Sequence, residues 1–183
     1  MKKKLRSEFN SRQYMLAKDF EVYYYSDLHF SSVGKHSHAY TEVYLFCEGE
    51  VDMEVRGRRR SLHPGDVLVL PPGTEHRAIV RSGETPYRRF VFWLSEGFCE
   101  TLRAEAPEYL YLFDRVREKQ EYVYPMDPLE FNSLRSQLFT LLSPRNRSSE
   151  RSALKKVSWV ISSATCGSLE RESANRYTGS KYA

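Results

Sequence analysis

The sequence predicts an α+β fold, a mainly antiparallel β-sandwich or barrel followed by C-terminal helices, and three observations carry that reading. From Phe20 to about Leu94, short apolar or alternating runs are punctuated by Gly49, Gly57, Pro64-Gly65, Pro71-Pro72-Gly73 and Gly83, the spacing of successive antiparallel strands. After Leu94 the apolar spacing becomes helical, with Phe98 and Leu102 four residues apart. Asp127-Pro128-Leu129-Glu130 then spells a helix start: Asp caps, Pro sits where its missing N–H costs nothing, and Glu is placed to close a capping box.

Taken in order, residues 1–19 are polar and basic without a sustained period and read as an N-terminal arm. Val51, Met53 and Val55 alternate with Asp52 and Glu54, so that strand is expected to have one dry and one wet face, with Arg56-Gly57-Arg58 as its hairpin turn. Val67-Leu68-Val69-Leu70 is apolar throughout, which predicts burial on both faces. Ser95 is placed to cap a short helix, Tyr122-Val123-Tyr124 to add a strand, and a helix is expected from Pro128 to about Ser143. Phe131, Leu134, Leu138, Leu141 and Leu142 stripe this last helix at nearly heptad spacing. The stripe has two readings, a face packed on the chain's own barrel or a homodimer seam in which Leu134, Leu138 and Leu141 are exposed to a second copy. Residues 20–143 are therefore taken as one domain and the polar stretch 144–153 as a linker. A further helix follows from residue 154, with Leu154, Val157 and Ile161 on one face, and Cys166-Gly167-Ser168 ends it.

Composition bounds the function classes. At 183 residues, 40% hydrophobic and 28% charged, the chain holds one full domain and a fragment of a second, not a large multidomain enzyme. Thirteen tyrosines and ten phenylalanines supply ample surface to bury. There is no apolar run of about 18 residues and no apolar segment behind Met1-Lys2-Lys3-Lys4, so a soluble, cytoplasmic protein without membrane contact is expected. Cys47, Cys99 and Cys166 are odd in number and far apart, which predicts reduced thiols. A net charge of +4 permits contact with polyanions without demanding it. The Arg56-Gly57-Arg58-Arg59-Arg60 run could meet a phosphate, but a charge cluster at a hairpin tip is expected to be solvated.

The chemistry is concentrated in His36-Ser37-His38-Ala39-Tyr40-Thr41-Glu42 and in Pro71-Pro72-Gly73-Thr74-Glu75-His76. On a strand, even-numbered side chains share a face, so His36, His38 and Glu42 point one way with Tyr40 and Tyr44 beside them. Three imidazoles and a carboxylate suit borderline divalent metals such as zinc, iron, manganese or nickel. His36, His38, Glu42 and His76 are thus candidate metal ligands. The candidate effector pocket comprises His36, His38, Tyr40, Glu42, Tyr44, Met53, His76 and Phe92.

These two segments resemble the paired motifs of the cupin superfamily, which implies a jelly-roll-like barrel with His76 brought opposite the first motif. Val80 stands where the second motif commonly has Asn, outside the ligand set. Together with the basic arm and the leucine-striped helix, residues 15 to 143 resemble the ligand-binding and dimerisation region of AraC-type transcription regulators. The resemblance implies a small-molecule effector, a homodimer and DNA as partner through an attached domain. It also likens Lys155 to Ile161, Ser168-Leu169-Glu170 and Ser180-Lys181-Tyr182 to the start of that family's helix-turn-helix domain, so that residues 154–183 are expected to be an incomplete one, truncated or frame-disrupted. Two functions compete: an effector-sensing, non-enzymatic regulator domain, and a stand-alone metal-dependent cupin enzyme such as a dioxygenase or isomerase.

Overall fold

A computed structural model describes residues 12–30 and 33–142. The strands are β1 (Phe20–Asp27), β2 (Thr41–Glu48), β3 (Glu50–Val55), β4 (Arg58–Ser61), β5 (Asp66–Leu70), β6 (His76–Ser82), β7 (Tyr87–Leu94) and β8 (Val123–Pro125). Helices α1 (Glu96–Glu105) and α2 (Tyr111–Lys119) lie between β7 and β8, joined by a 3-10 turn at Pro107–Leu110, and α3 (Pro128–Leu142) follows. The strands form a five-stranded sheet in the order β1-β7-β2-β5-β8 and a three-stranded sheet in the order β4-β3-β6. Every pairing is antiparallel. This is the expected α+β fold, mainly antiparallel sheets followed by C-terminal helices. Among the described residues no helix is long and apolar enough to cross a membrane.

The large sheet is apolar on both faces because each face has its own cover. Tyr44, Phe46, Leu68, Leu70, Val91 and Trp93 face the small sheet, where they meet Val51, Met53 and Val55. Val43, Leu45, Val67, Val69, Phe90 and Phe92 face the other way, onto Phe98 and Leu102 of α1, Phe113 and Val116 of α2, and Leu134 and Leu138 of α3. Val67 through Leu70 are accordingly fully buried, as their unbroken apolar run predicts. Helix α2 did not announce itself in the sequence.

Local signals place the turns and helix ends. Arg56 (φ 47°) and Gly57 (φ 77°) both adopt the left-handed conformation that a two-residue hairpin turn requires, and Arg56 N–H is anchored on Glu75 O at 2.9 Å. Gly49 at φ 122° lies so close to β7 that a Cβ there would come within 3.2 Å of Tyr87 Cα. Ser95 Oγ accepts from Phe98 N at 3.2 Å, and Asp127 Oδ1 accepts from Leu129 N at 2.9 Å, so both expected caps form.

The leucine stripe resolves against an exposed seam. Leu134 and Leu138 have no exposed surface and pack on the chain's own barrel, with Phe139 edge-on to Tyr24 and Phe90 at ring distances of 4.9 and 5.0 Å. The outer face of the large sheet needs a cover, and α3 supplies part of it. The Leu141 side chain, the linker at 144–153 and the helices expected over 154–183 lie outside the described residues.

Candidate functional site

The two motif segments meet because their backbones pair. His36 N–H donates to His76 O at 3.1 Å, His76 N–H returns to His36 O at 2.9 Å, and Gly73 N–H donates to His38 O at 2.9 Å. Regular strand starts only at Thr41, so residues 37–40 approach the sheet as irregular chain stapled to the Pro71–His76 turn.

Three of the four expected ligands converge. One donor atom each from His38, Glu42 and His76 lies within 4.8 Å of the others. His38 Nε2 is 3.0 Å and His76 Nε2 3.9 Å from Glu42 Oε2. His36 stands outside this group, its ring 4.4 Å from that of His76 and 6.1 Å from that of His38.

The imidazoles are oriented by their other nitrogens. His36 Nδ1 donates to Gly34 O at 3.0 Å, His38 Nδ1 to Tyr40 O at 2.8 Å and His76 Nδ1 to Thr74 O at 2.9 Å. A carbonyl only accepts, so each Nδ1 carries the proton and each Nε2 is left with a lone pair in the neutral ring. This backbone support is the arrangement that holds metal-ligating histidines. For His38 it has a further consequence, since a lone pair facing a carboxylate oxygen at 3.0 Å repels it. The contact needs a proton between the two atoms, carried by His38 or by Glu42, or a bound cation. Burial opposes charge on Glu42, yet the hydrogen bond from His38 and the fields of His76, His38 and His36 outweigh it and hold the carboxyl below its ordinary range. Burial likewise dominates at His76 and pushes it below the ordinary imidazole value against the pull of Glu42.

Beside this cluster a cavity of about 80 Å³ opens between the sheets. Of the expected pocket residues, His36, Tyr40, Glu42, Tyr44, Met53 and His76 line it. His38 does not reach the lining but stacks its ring on Tyr40 at 3.9 Å. Phe92 is misplaced in that expectation, for it pairs with Val43 and lies on the helix-covered face. Its neighbours Val91 and Trp93 are the ones that face the cavity.

Residues 20–155, more than half of the chain, match the AraC-like ligand binding domain. The chain belongs to that family. Over 42 residues it is 43% identical to an uncharacterised HTH-type transcriptional regulator, YobQ, of Bacillus subtilis (strain 168), a match covering 23% of this chain and 17% of that protein. The matched stretch is thus under a fifth of that relative's length. Solved structures of similar shape include a cupin 2 conserved barrel protein from Salinispora arenicola, at 22% identity over 52% of this chain and 76% of that one with TM-score 0.40. The DMSP lyase DddQ from Ruegeria pomeroyi is 23% identical over 44% of this chain and 40% of that one, with TM-score 0.38. KdgF from Halomonas sp. is 21% identical over 44% and 75%, with TM-score 0.37.

In this AraC-like domain the cavity is largely aromatic, with a few polar groups that convergence alone reveals. Tyr25, Phe30, Tyr87 and Trp93 add walls that the motif segments do not contain. Arg89 forms a buried ion pair with Asp27 at 2.7 Å and lies 3.9 Å from the Tyr87 ring and 4.7 Å from that of Tyr25. Arg12 enters from the arm, paired with Glu21 at 2.8 Å and 5.2 Å over Trp93. Tyr44 and Trp93 line the cavity, and Tyr44 OH and Trp93 Nε1 are buried with no hydrogen-bond partner among the described residues. The alternation of Tyr87, Arg89, Val91 and Trp93 along β7 was the sequence signal for this wall.

Proposed function

We propose that the cavity of this AraC-like domain receives a small-molecule effector and that the chain is the cytoplasmic sensing part of a transcription regulator. One observation carries the reading: Tyr44 OH and Trp93 Nε1 are buried polar groups without hydrogen-bond partners among the described residues, and both side chains line the same cavity. An unmet buried donor costs about 1–3 kcal/mol, a deficit that a ligand bearing hydrogen-bond acceptors removes on binding. Aromatic walls take up its apolar surface. Effector occupancy would change how the segment bearing Arg12 packs against Trp93, and through it the DNA engagement of an attached helix-turn-helix region. No bond-making is asked of the histidine cluster. The homodimer implied by the family must use a surface other than the buried Leu134 and Leu138 side chains.

The test is a thermal-shift screen of polar small molecules. A true effector raises the melting temperature of the wild type, and its effect shrinks in Tyr44→Phe, which removes only the hydroxyl, and in Trp93→Phe, which removes the indole N–H and keeps a smaller aromatic ring. An effector whose stabilisation is identical in both variants would refute the placement.

A second reading is favoured by the convergence of His38, Glu42 and His76. The donor set fits a divalent zinc, iron, manganese or nickel ion: two imidazoles with free Nε2 lone pairs, a carboxylate, and His36 adjacent. A metal held there would polarise a bound carbonyl or hydroxyl. In that case the chain's own residues orient the ligands through Gly34, Tyr40 and Thr74 carbonyls, and the aromatic walls exclude water. Turnover of a ligand in the metal-loaded chain would favour the enzyme; binding without turnover favours the sensor.

A further inference from the structure

The Arg56–Arg60 run is divided between the two faces of its hairpin. Met53 pairs with Arg60 and Val55 with Arg58, and residues directly opposite in an antiparallel ladder share a face. Arg58 and Arg60 therefore lie on the side of Met53 and Val55, while Arg59 lies on the other with Asp52, to which it donates at 2.7 Å. On that outer face Arg77 meets Glu54 and Arg81 meets Asp52, so those arginines are all paired.

Arg58 and Arg60 instead border a cleft of about 430 Å³, several times roomier than the barrel cavity. It runs between β4, the edge of the small sheet, and β8, the edge of the large one. Across it stands Arg115 of α2, whose Nε is buried with no hydrogen-bond partner among the described residues, while its guanidinium meets the phenols of Tyr111, at 3.5 Å, and Tyr124, and feels the charge of Glu121. None of these three guanidinium groups forms an ion pair among the described residues, although the exposed Glu121 lies on the rim. The walls between them are apolar or aromatic, including Met53, Val55 and Tyr122.

We propose that this cleft is a second ligand site, distinct from the barrel cavity, for a small organic carboxylate with an apolar body. Arg58 and Arg60 border the cleft without an ion-pair partner among the described residues, Glu121 acts on Arg115, and an anion in the cleft supplies the opposite charge that the other two lack. The planar fork of arginine matches a carboxylate, and Arg58, Arg60 and Arg115 all line the cleft. The apolar walls favour an acid carrying a ring or alkyl chain over a bare inorganic anion.

The test uses the full chain with 3-phenylpropionate as probe and the uncharged 3-phenylpropionamide as control, titrated calorimetrically at low ionic strength. The acid should bind saturably and at least about tenfold more tightly than the amide, the difference that one charge-assisted hydrogen bond supplies. The Arg58→Gln/Arg60→Gln double variant, exposed enough to leave the fold intact, and Arg115→Gln should each weaken the acid about tenfold or more, while Trp93→Phe in the barrel cavity should leave it unchanged. The proposal is overturned if nothing binds saturably, if acid and amide bind alike, if acid affinity survives the arginine variants, or if it falls only with Trp93→Phe. The last outcome would put the acid in the barrel.

Discussion

His38 Nε2 lies 3.0 Å from Glu42 Oε2 while His38 Nδ1 is committed to the Tyr40 carbonyl at 2.8 Å, so the pair is held together only with a proton or other positive charge between its atoms. A divalent cation would supply that charge, and if it does the chain stripped with EDTA should take up about one zinc ion, within the coordination preferences of such a site. His38→Ala and His76→Ala should each reduce zinc affinity at least about tenfold with the fold retained by circular dichroism. If elemental analysis finds zinc at background in all three proteins, a proton shared by the pair is the explanation and the cluster holds no zinc.

Leu138, without exposed surface beneath α3, should behave as core. Leu138→Ala should lower unfolding free energy by about 2–5 kcal/mol. Leu138→Glu should leave the chain largely unfolded. A folded, monomeric Leu138→Glu chain in sedimentation would restore the exposed seam that the helical stripe allowed.

The ion pair of Arg89 with Asp27 is almost sealed, with the two side chains 3% and 9% exposed. Removing only the acid strands a guanidinium among Tyr25, Phe30 and Tyr87, so Asp27→Ala should cost about 3–5 kcal/mol in urea denaturation. The Asp27→Ala/Arg89→Met double variant should recover part of that loss. A double variant less stable than the single one would show that Arg89 is held by its aromatic neighbours more than by Asp27.

Asp52 joins the three strands of the small sheet, accepting from Ser61 and Arg59 of β4 at 2.7 Å each and facing Arg81 of β6 at 3.3 Å. Burial opposes its charge, but these hydrogen bonds and arginines prevail and its carboxyl titrates below the ordinary range. A depressed carboxyl contributes stability that is complete above the unfolded value, about 3.9, and disappears as pH falls through the folded one. Asp52→Asn should therefore be less stable than wild type at neutral pH, and the two urea midpoints should converge as the pH drops below about 4. A constant gap across that window would mean the carboxylate charge contributes nothing.

Burial pushes the Cys47 thiol up to about 12 and Cys99 up to about 11. Near pH 8 both are almost entirely protonated, and the thiolate is the nucleophile. Peptide mapping after iodoacetamide treatment should find both unmodified in the native chain and modified in urea. Rapid native labelling of Cys47 would show that its partly exposed position outweighs the raised pKa.

Local features were legible because their causes are local. The Ser95 and Asp127 caps depend on backbone groups two or three residues away, the Arg56-Gly57 turn on the conformational tolerance of those two residues, and the doubly buried β5 on its own unbroken apolar run. The metal-type cluster was half legible for the same reason. Glu42 and His38 are near neighbours in the chain, and the resemblance to cupin motifs supplied His76.

What the sequence by itself determined was a strand-rich region followed by helices, α2 excepted, the resemblance to the family, and the residue types available for a site. Tertiary structure decided which of them meet. Val43 faces Phe92 across the β2–β7 ladder, so the odd-numbered residues of β7 rather than the even ones join Glu42 and Tyr44 at the cavity. That register depends on how distant strands align, which no periodicity within either strand encodes. The leucines of α3 could have met a second copy or the outer face of the large sheet, and the sheet won because α3 completes, with α1 and α2, the cover of its apolar outer residues. The same pairing logic separated Arg58 and Arg60 from Arg59 and turned a charge run that reads as a solvated tip into two surfaces with different partners.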